Sequence, residues 1–278
     1  MKQYVLSLSA LALVGATACT PAAAPQVMPV PEARLSYAPA YSCATPGSVP
    51  VTIAVVSPQF KDVTRDIVSQ QGATNQLVFN TMPGAMRADF METLSCRGFA
   101  TKGPFASYDE MMFPDRSGSD LILAPEITLD VTLSNLETVS ADNALMSVLS
   151  IASSTAPTRM TINGTVRVGG RVSLRVNESI TNTGMANPSV ELEPTVLQFT
   201  GETAYETVRL AQSRDPEGTM RQLAFNDPGL RRVLIPVLEK YYVDVLRTAD
   251  GHLDPEGMKL TKQQSLEVRR NANSSIVK

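Results

Sequence analysis

"TINGTVRVGGRVSLRV", residues 161–176, decides the fold. Ile162, Val166 and Val168, then Val172, Leu174 and Val176, fall on even positions, and Gly164 keeps the series. Thr161, Asn163, Thr165, Arg167, Arg171, Ser173 and Arg175 fill the odd positions with polar groups. A period of two is the mark of a strand with one buried and one wetted face. Gly169-Gly170 interrupts it. A two-residue hairpin there would set Val166 opposite Ser173 and mix the faces. Two geometries keep the faces apart: a loop of odd length such as 169–171, or one long strand bent at the glycines. Either way Arg167, Arg171 and Arg175 stand on the face away from the core. That row reads as a basic patch for an acidic ligand or as the solvated face of an antiparallel sheet.

Outward from this stretch the chain supplies more strands. "SDLILAPEITLDVTLSNLETV", 119–139, predicts one long strand or a pair, and "VELEPTVLQFTGETAYE", 190–206, predicts another. "SVPVTIAVVSP", 48–58, is β-branched and reads as a buried strand, and "FATKGPFA", 99–106, as a further one. Helical signals lie between. "MPGAMRADFMETLSCRG", 82–98, has Pro83 in its first turn, Gly98 at its end, and Met86, Phe90 and Leu94 along one face. "DPGLRRVLIPVLEKYYVDVLRTADG", 227–251, carries a wide apolar stripe and an internal Pro236, which predicts a kinked core helix. Short helices are expected in 60–72, after the Ser107-x-x-Glu110 capping box, and in the Ala/Ser-rich run 140–154. The spacing predicts one α+β domain over 41–250, a mostly antiparallel sheet with helices packed on one face. Residues 251–278 read as a polar, basic extension.

The amino end has a different character. Lys2, the apolar run 5–14 and the small residues before Cys19 have the layout of an export signal over 1–18, too short to span a bilayer. Ala16-Thr17-Ala18-Cys19 is similar to a bacterial lipobox, which implies lipidation of Cys19; the alternative is ordinary cleavage after Ala18. Acyl chains contribute about 0.8 kcal/mol per buried CH₂, so two or more anchor stably. Residues 19–40 hold five prolines and read as an extended tether. With Cys19 lipidated, Cys43 and Cys96 remain as an even pair in an oxidising compartment. They predict a disulfide worth on the order of 4 kcal/mol; the rival is a reactive thiol, though neither has a His or acid close by that would activate it.

Composition excludes several classes. Net charge is −3, with no basic run to suggest nucleic acid. Trp is absent and aromatics make up 5%, which weakens a simple lectin reading. His252 is the single histidine, in a turn-rich loop, and reads as a surface residue. One His and two further Cys are too few for a zinc site, and the calcium-loop spacing is missing near Asp250, Asp254 and Glu256. No metal, cofactor or catalytic residue is expected, and the chain does not read as an enzyme.

Taken in order, "LSYAPA", "VTIAVVSPQF", "ETLSCRGF", "SDLILAPEITLDV" and "GGRVSLRVNES", ahead of a long carboxy-terminal helix with a basic tail, are similar to the HpaA-like lipoproteins, the neuraminyllactose-binding haemagglutinin family. The resemblance implies an outer-membrane lipoprotein, held to the membrane by its lipid, that acts as an adhesin on sialylated glycans or a host surface. The family's Lys/Arg-rich run corresponds here to "VTLSNLETVSAD", 131–142, which has neither residue. The same layout resembles periplasmic lipoproteins that assist envelope assembly machines, so an envelope protein is the alternative partner.

Overall fold

The computed structural model describes residues 29–61, 73–140, 159–207, 210 and 212–276. Cys19, the export signal and the expected helices in 62–72 and 141–154 lie outside the described residues.

Two strands of 20 residues form the frame. β4 (Leu121–Ser140) pairs antiparallel with β5 (Arg159–Glu178). β5 runs unbroken through Gly169-Gly170, so residues 161–176 form one long strand and not a hairpin. Its even positions stay buried throughout: Ile162, Val166, Val168, Val172, Leu174 and Val176 are at most 4% exposed. Gly170 shows why a glycine is required. It has φ +153°, and a Cβ there would lie 1.8 Å from the Thr128 carbonyl oxygen and 2.7 Å from the Tyr241 hydroxyl. That hydroxyl donates to the same Thr128 carbonyl at 2.6 Å, joining helix to sheet across the space a side chain would fill.

Along the far edge of β5 lie β6 (Gly184–Ala186), β7 (Ser189–Thr200) and β8 (Tyr205–Glu206), all antiparallel to it. The other half of the sheet corrects the expectation. β1 (Thr52–Val56) is parallel to both β3 (Ala100–Phe105) and β4, and β2 (Gln59–Lys61) is parallel to β4. The sheet is mixed, and "mostly antiparallel" holds only around β5. The cause is α1 (Met82–Cys96), which lies between β1 and β3 in the chain and returns it to the same end of the sheet. A four-residue helical turn, Ala73–Gln76, and a π-helical turn, Leu77–Thr81, lead into it. The predicted start and stop of α1 hold: Pro83 is in its first turn, and Gly98 beyond its end has φ +89°.

The capping box at Ser107 does not open a helix. Glu110 instead accepts from the Ala106 amide, residues 108–111 turn, and the short α2 (Phe113–Ser117) follows. The helix α3 (Pro216–Asn226) has no counterpart among the expected elements, although Asp215 caps it by accepting from Gly218 N at 2.9 Å and Pro216 opens it. α4 (Pro228–Gly251) is the expected long helix, with Pro236 inside it. Its stripe, together with Met86, Phe90 and Leu94 of α1, covers one face of the sheet in a single core. A smaller cluster of Ala54, Val56, Met111 and Ile122 sits on the opposite face.

Both flanks of the expected domain also pack onto it. Residues 29–40 form no regular element, yet Leu35 and Tyr37 rest on the core. Arg34 N donates to Glu239, and Tyr37 N donates to Asp89 at 2.8 Å. They are a strap rather than a free tether. Residues 251–278, expected to project, supply α5 (Pro255–Ile276), which returns to the sheet through Met258 and a buried ion pair. Among the described residues no helix is long and apolar enough to cross a membrane.

Candidate functional site

β4 and β5 keep register from Leu121↔Glu178 to Ser134↔Thr165, and the next pair is Glu137↔Asn163. β4 therefore sets two residues, Asn135 and Leu136, against the single Gly164 of β5, and Asn135 has φ +52°, a conformation that asparagine tolerates better than most residues. Bulges of this kind bend a strand and re-aim its side chains. Beside the bulge, β7 ends at Thr200, and α4 begins so close that a Cβ on Gly229 would lie 2.0 Å from the Thr200 carbonyl oxygen. Asp227, fully buried, fixes this junction: its carboxylate accepts from Gly229 N at 2.7 Å, Glu202 N at 2.8 Å and Thr203 N at 3.0 Å.

Between the bulge, the end of β7 and the first turns of α4 lies a cleft of about 600 Å³. Its lining is mostly polar, including Glu137, Asn163, Gln198, Glu202 and Arg232, with Phe199 and Val233 as apolar surface. Arg232 donates to Glu202 at 3.0 Å and closes one wall. Asn163 Oδ1 is buried and has no hydrogen-bond partner among the described residues. Among the described residues no cysteine or histidine lines the cleft.

The expected basic row is present as geometry but not as free charge. Arg167, Arg171 and Arg175 stand on the outward face of β5, each opposite a carboxylate. Arg167 pairs with Asp130 at 3.2 Å and Arg171 with Glu191 at 2.5 Å. Arg175 pairs with Glu126, which also meets Lys61 at 2.8 Å. Such exposed cross-strand pairs contribute about 0–1 kcal/mol each. Cys43 and Cys96 are joined in a disulfide, with Cα atoms 4.3 Å apart. His252 follows the last turn of α4, exposed. Among the described residues no group of His, Cys, Asp or Glu could hold a metal ion.

Two buried polar centres have no counterpart in the sequence reading. At the end of α4, Asp250 accepts from Tyr41 Oη at 2.7 Å, Arg97 Nε at 2.8 Å and Tyr37 Oη at 3.0 Å. The Arg97 guanidinium also lies 4.4 Å from the Tyr41 ring centre. Burial, then the Asp250 charge and hydrogen bond, push the Tyr37 hydroxyl up to about 12. The second centre pins α5. Glu178, fully buried at the end of β5, accepts from Arg269 Nε at 2.8 Å and from the amides of Ile180 and Thr181. Burial alone would raise its pKa. The amides of Thr181 and Ile180, the Thr181 hydroxyl and Arg269 outweigh burial and hold the carboxyl below its usual range. Nothing local marks either centre, since Glu178 lies in the polar stretch VNES, Arg269 in EVRRN and Asp250 in RTADGH.

Arg269→Ala leaves Glu178 without its cation, and it should cost about 3 kcal/mol and loosen α5. Because the carboxyl of Glu178 is depressed in the folded state, its contribution is intact above the unfolded glutamate value of about 4.3. It is lost as pH falls below that value. Urea unfolding at pH 7 and pH 3 checks both points: the gap between wild type and Arg269→Ala should narrow at pH 3.

The architecture, a mixed α+β sheet with its main helices on one face and a cleft at the distal end of the long strands, defines a fold class without a catalytic constellation among the described residues. No protein-family model matches the chain, and no curated protein does. Among solved structures, the fold is that of a neuraminyllactose-binding hemagglutinin homolog from Helicobacter pylori, at TM-score 0.54 and 10% identity over 85% of this chain and 99% of that one. A protein from Xanthomonas campestris scores 0.28 at 11% identity, over 81% of this chain and 97% of that one. A lipoprotein from Neisseria meningitidis scores 0.23 at 12% identity, over 57% of this chain and 90% of that one. Similarities at the last two levels do not define a common fold.

Proposed function

We propose that the protein is a non-enzymatic, lipid-anchored envelope protein that binds a ligand at a surface, attached to the outer membrane through Cys19. The observation that carries this reading is the agreement of the fold with the hemagglutinin homolog over 85% of this chain. The disulfide supports an oxidising compartment. The neuraminyllactose for which the neighbour is described makes sialylated glycans the first class to assay, and a host surface is the larger target they would represent. The arginines of the outward face are each matched by a carboxylate, which favours a second reading, a periplasm-facing accessory lipoprotein with an envelope protein as partner.

Cys19→Ala tests the anchor: the wild-type protein is expected in the outer-membrane fraction and the variant in the soluble fraction. A variant that stayed with the membrane would show that Cys19 does not carry the anchor. Protease treatment of intact and lysed cells separates the two readings. Cleavage on intact cells supports the adhesin, and protection until lysis supports the assembly factor.

A further inference from the structure

Among the described residues the two most exposed large apolar side chains are neighbours in the chain: Met112 at 73% and Phe113 at 71%. Single exposed apolar residues are ordinary on a protein surface. An adjacent pair, followed by the exposed Pro114, needs a reason. The pair does not sit on a loose loop. Just before it, Met111 is 1% exposed and packs in the small core on the outward face of the sheet. Tyr108 donates its hydroxyl to the Ile180 carbonyl at 2.8 Å, and the Arg116 guanidinium lies 4.1 Å from the Tyr108 ring centre. Just after it, Ser119 Oγ donates to the Asp115 carbonyl at 2.7 Å. An apolar tip held from both sides has little freedom left to lose on binding, and aromatic anchors of this kind dominate contact energies.

Two observations bear on what meets the tip. The first is charge. Asp109, Glu110 and Asp115 flank it in the chain, against Arg116, which is drawn back onto Tyr108, and Lys102, whose Nζ lies beside Gly118. The acidic excess repels anionic headgroups and suits a basic rim. The second is place. Along α4, Gly229 lies by Thr200 and Tyr241 by Thr128, so the helix runs toward the end where β4 begins and β5 finishes. α2 precedes β4 at that end. The strap leads the other way, from Cys43 back past Glu239. Asn163, at the cleft, and Glu178 are fifteen positions apart on β5, about 50 Å of strand. The tip therefore lies at the opposite end from the segment that continues to Cys19.

We infer that Met112 and Phe113 insert into an apolar pocket with a cationic rim on a partner protein, at the end of the domain away from the lipid anchor. The inference rests on the lipid-anchored reading and names the surface by which such a protein would hold its partner.

A benzophenone side chain placed at position 113 of the full chain and irradiated in intact cells tests it, with position 196 on the exposed edge strand as the control. One protein adduct is expected from 113 and none from 196. With the probe moved to position 112, the same adduct should fall at least about tenfold with Phe113→Ser. It should fall similarly with Asp109→Lys and Asp115→Lys together, while Glu193→Lys leaves it unchanged. Melting curves that match the wild type will show that these surface variants fold. A lipid adduct, an adduct of twice the chain's own mass, the same adduct from position 196, indifference to Phe113→Ser or to the charge reversal, or no adduct at all overturns the inference. The lipid-anchored reading fails separately, by recovery of the wild-type chain in the soluble fraction.

Discussion

Gly170→Ala should destabilise the protein by on the order of 4 kcal/mol, as an added Cβ has no place to go. At 1.8 Å from the Thr128 carbonyl oxygen, the new carbon cannot be relieved by turning a side chain. Either β4 and β5 part locally, or the Tyr241 hydroxyl withdraws and leaves the Thr128 carbonyl without that bond. A backbone φ of +153° adds strain for any residue with a Cβ. The neighbouring glycine supplies the control. A Cβ on Gly169 would meet only Pro194, at 3.3 Å, and glycine within a strand is itself unfavourable by about 0.5–1 kcal/mol. Gly169→Ala should therefore lie within about 1 kcal/mol of wild type. Urea midpoints for the two variants are the measurement, and equal midpoints would contradict the packing described at Gly170.

Breaking the disulfide should have an effect of similar size. Cys43 and Cys96 are 53 residues apart, and a loop of that length is worth about 4 kcal/mol in the chain-entropy account. For a domain of this size that corresponds to a fall in Tm of roughly 10 °C. The double variant Cys43→Ser, Cys96→Ser should show it, and so should the wild type in reductant. The loss should begin in the strap. Ala44 N donates to the Cys96 carbonyl at 2.8 Å, and Tyr41 and Tyr37 reach Asp250 from the same segment. Limited proteolysis should then cut the reduced protein first within residues 29–46. A loss under about 1 kcal/mol would mean that Asp250 and its tyrosines hold the strap without the bond.

Much of the scaffold was legible in the sequence, because burial imposes a period. The alternation in 161–176 assigned each side chain of β5 to its face. The stripe of α4 marked its buried side. The count of cysteines, once Cys19 was set apart, pointed to the 43–96 pair. A period does not say which strand lies beside which. For that reason the parallel half of the sheet was missed, since its order depends on where α1 returns the chain. Gly169-Gly170 looked like a place to bend. The structure instead uses the second glycine for a close approach between Tyr241 and Thr128, residues more than a hundred positions apart. The same limit hid Glu178 and Arg269, 91 positions apart. It hid the cleft as well: nothing local around Asn135 distinguishes a bulge from a continuing strand. The arginines of 167, 171 and 175 were placed on the correct face, but their carboxylate partners come from β2's neighbour β4 and from β7, which the sequence does not order.

The strap runs alongside α4 in the same direction, from Arg34 near Glu239 to Cys43 near the helix end. Traced backwards, it heads toward the first turns of α4, where the cleft opens. Glu239 and Gly229 are ten residues apart, about 15 Å of helix. Ten positions separate Pro29 from Cys19, a leash of at most about 36 Å. A bilayer-bound Cys19 would thus keep the cleft within a few tens of ångströms of the headgroups. Any group carried by that layer would then meet the cleft at a raised effective concentration.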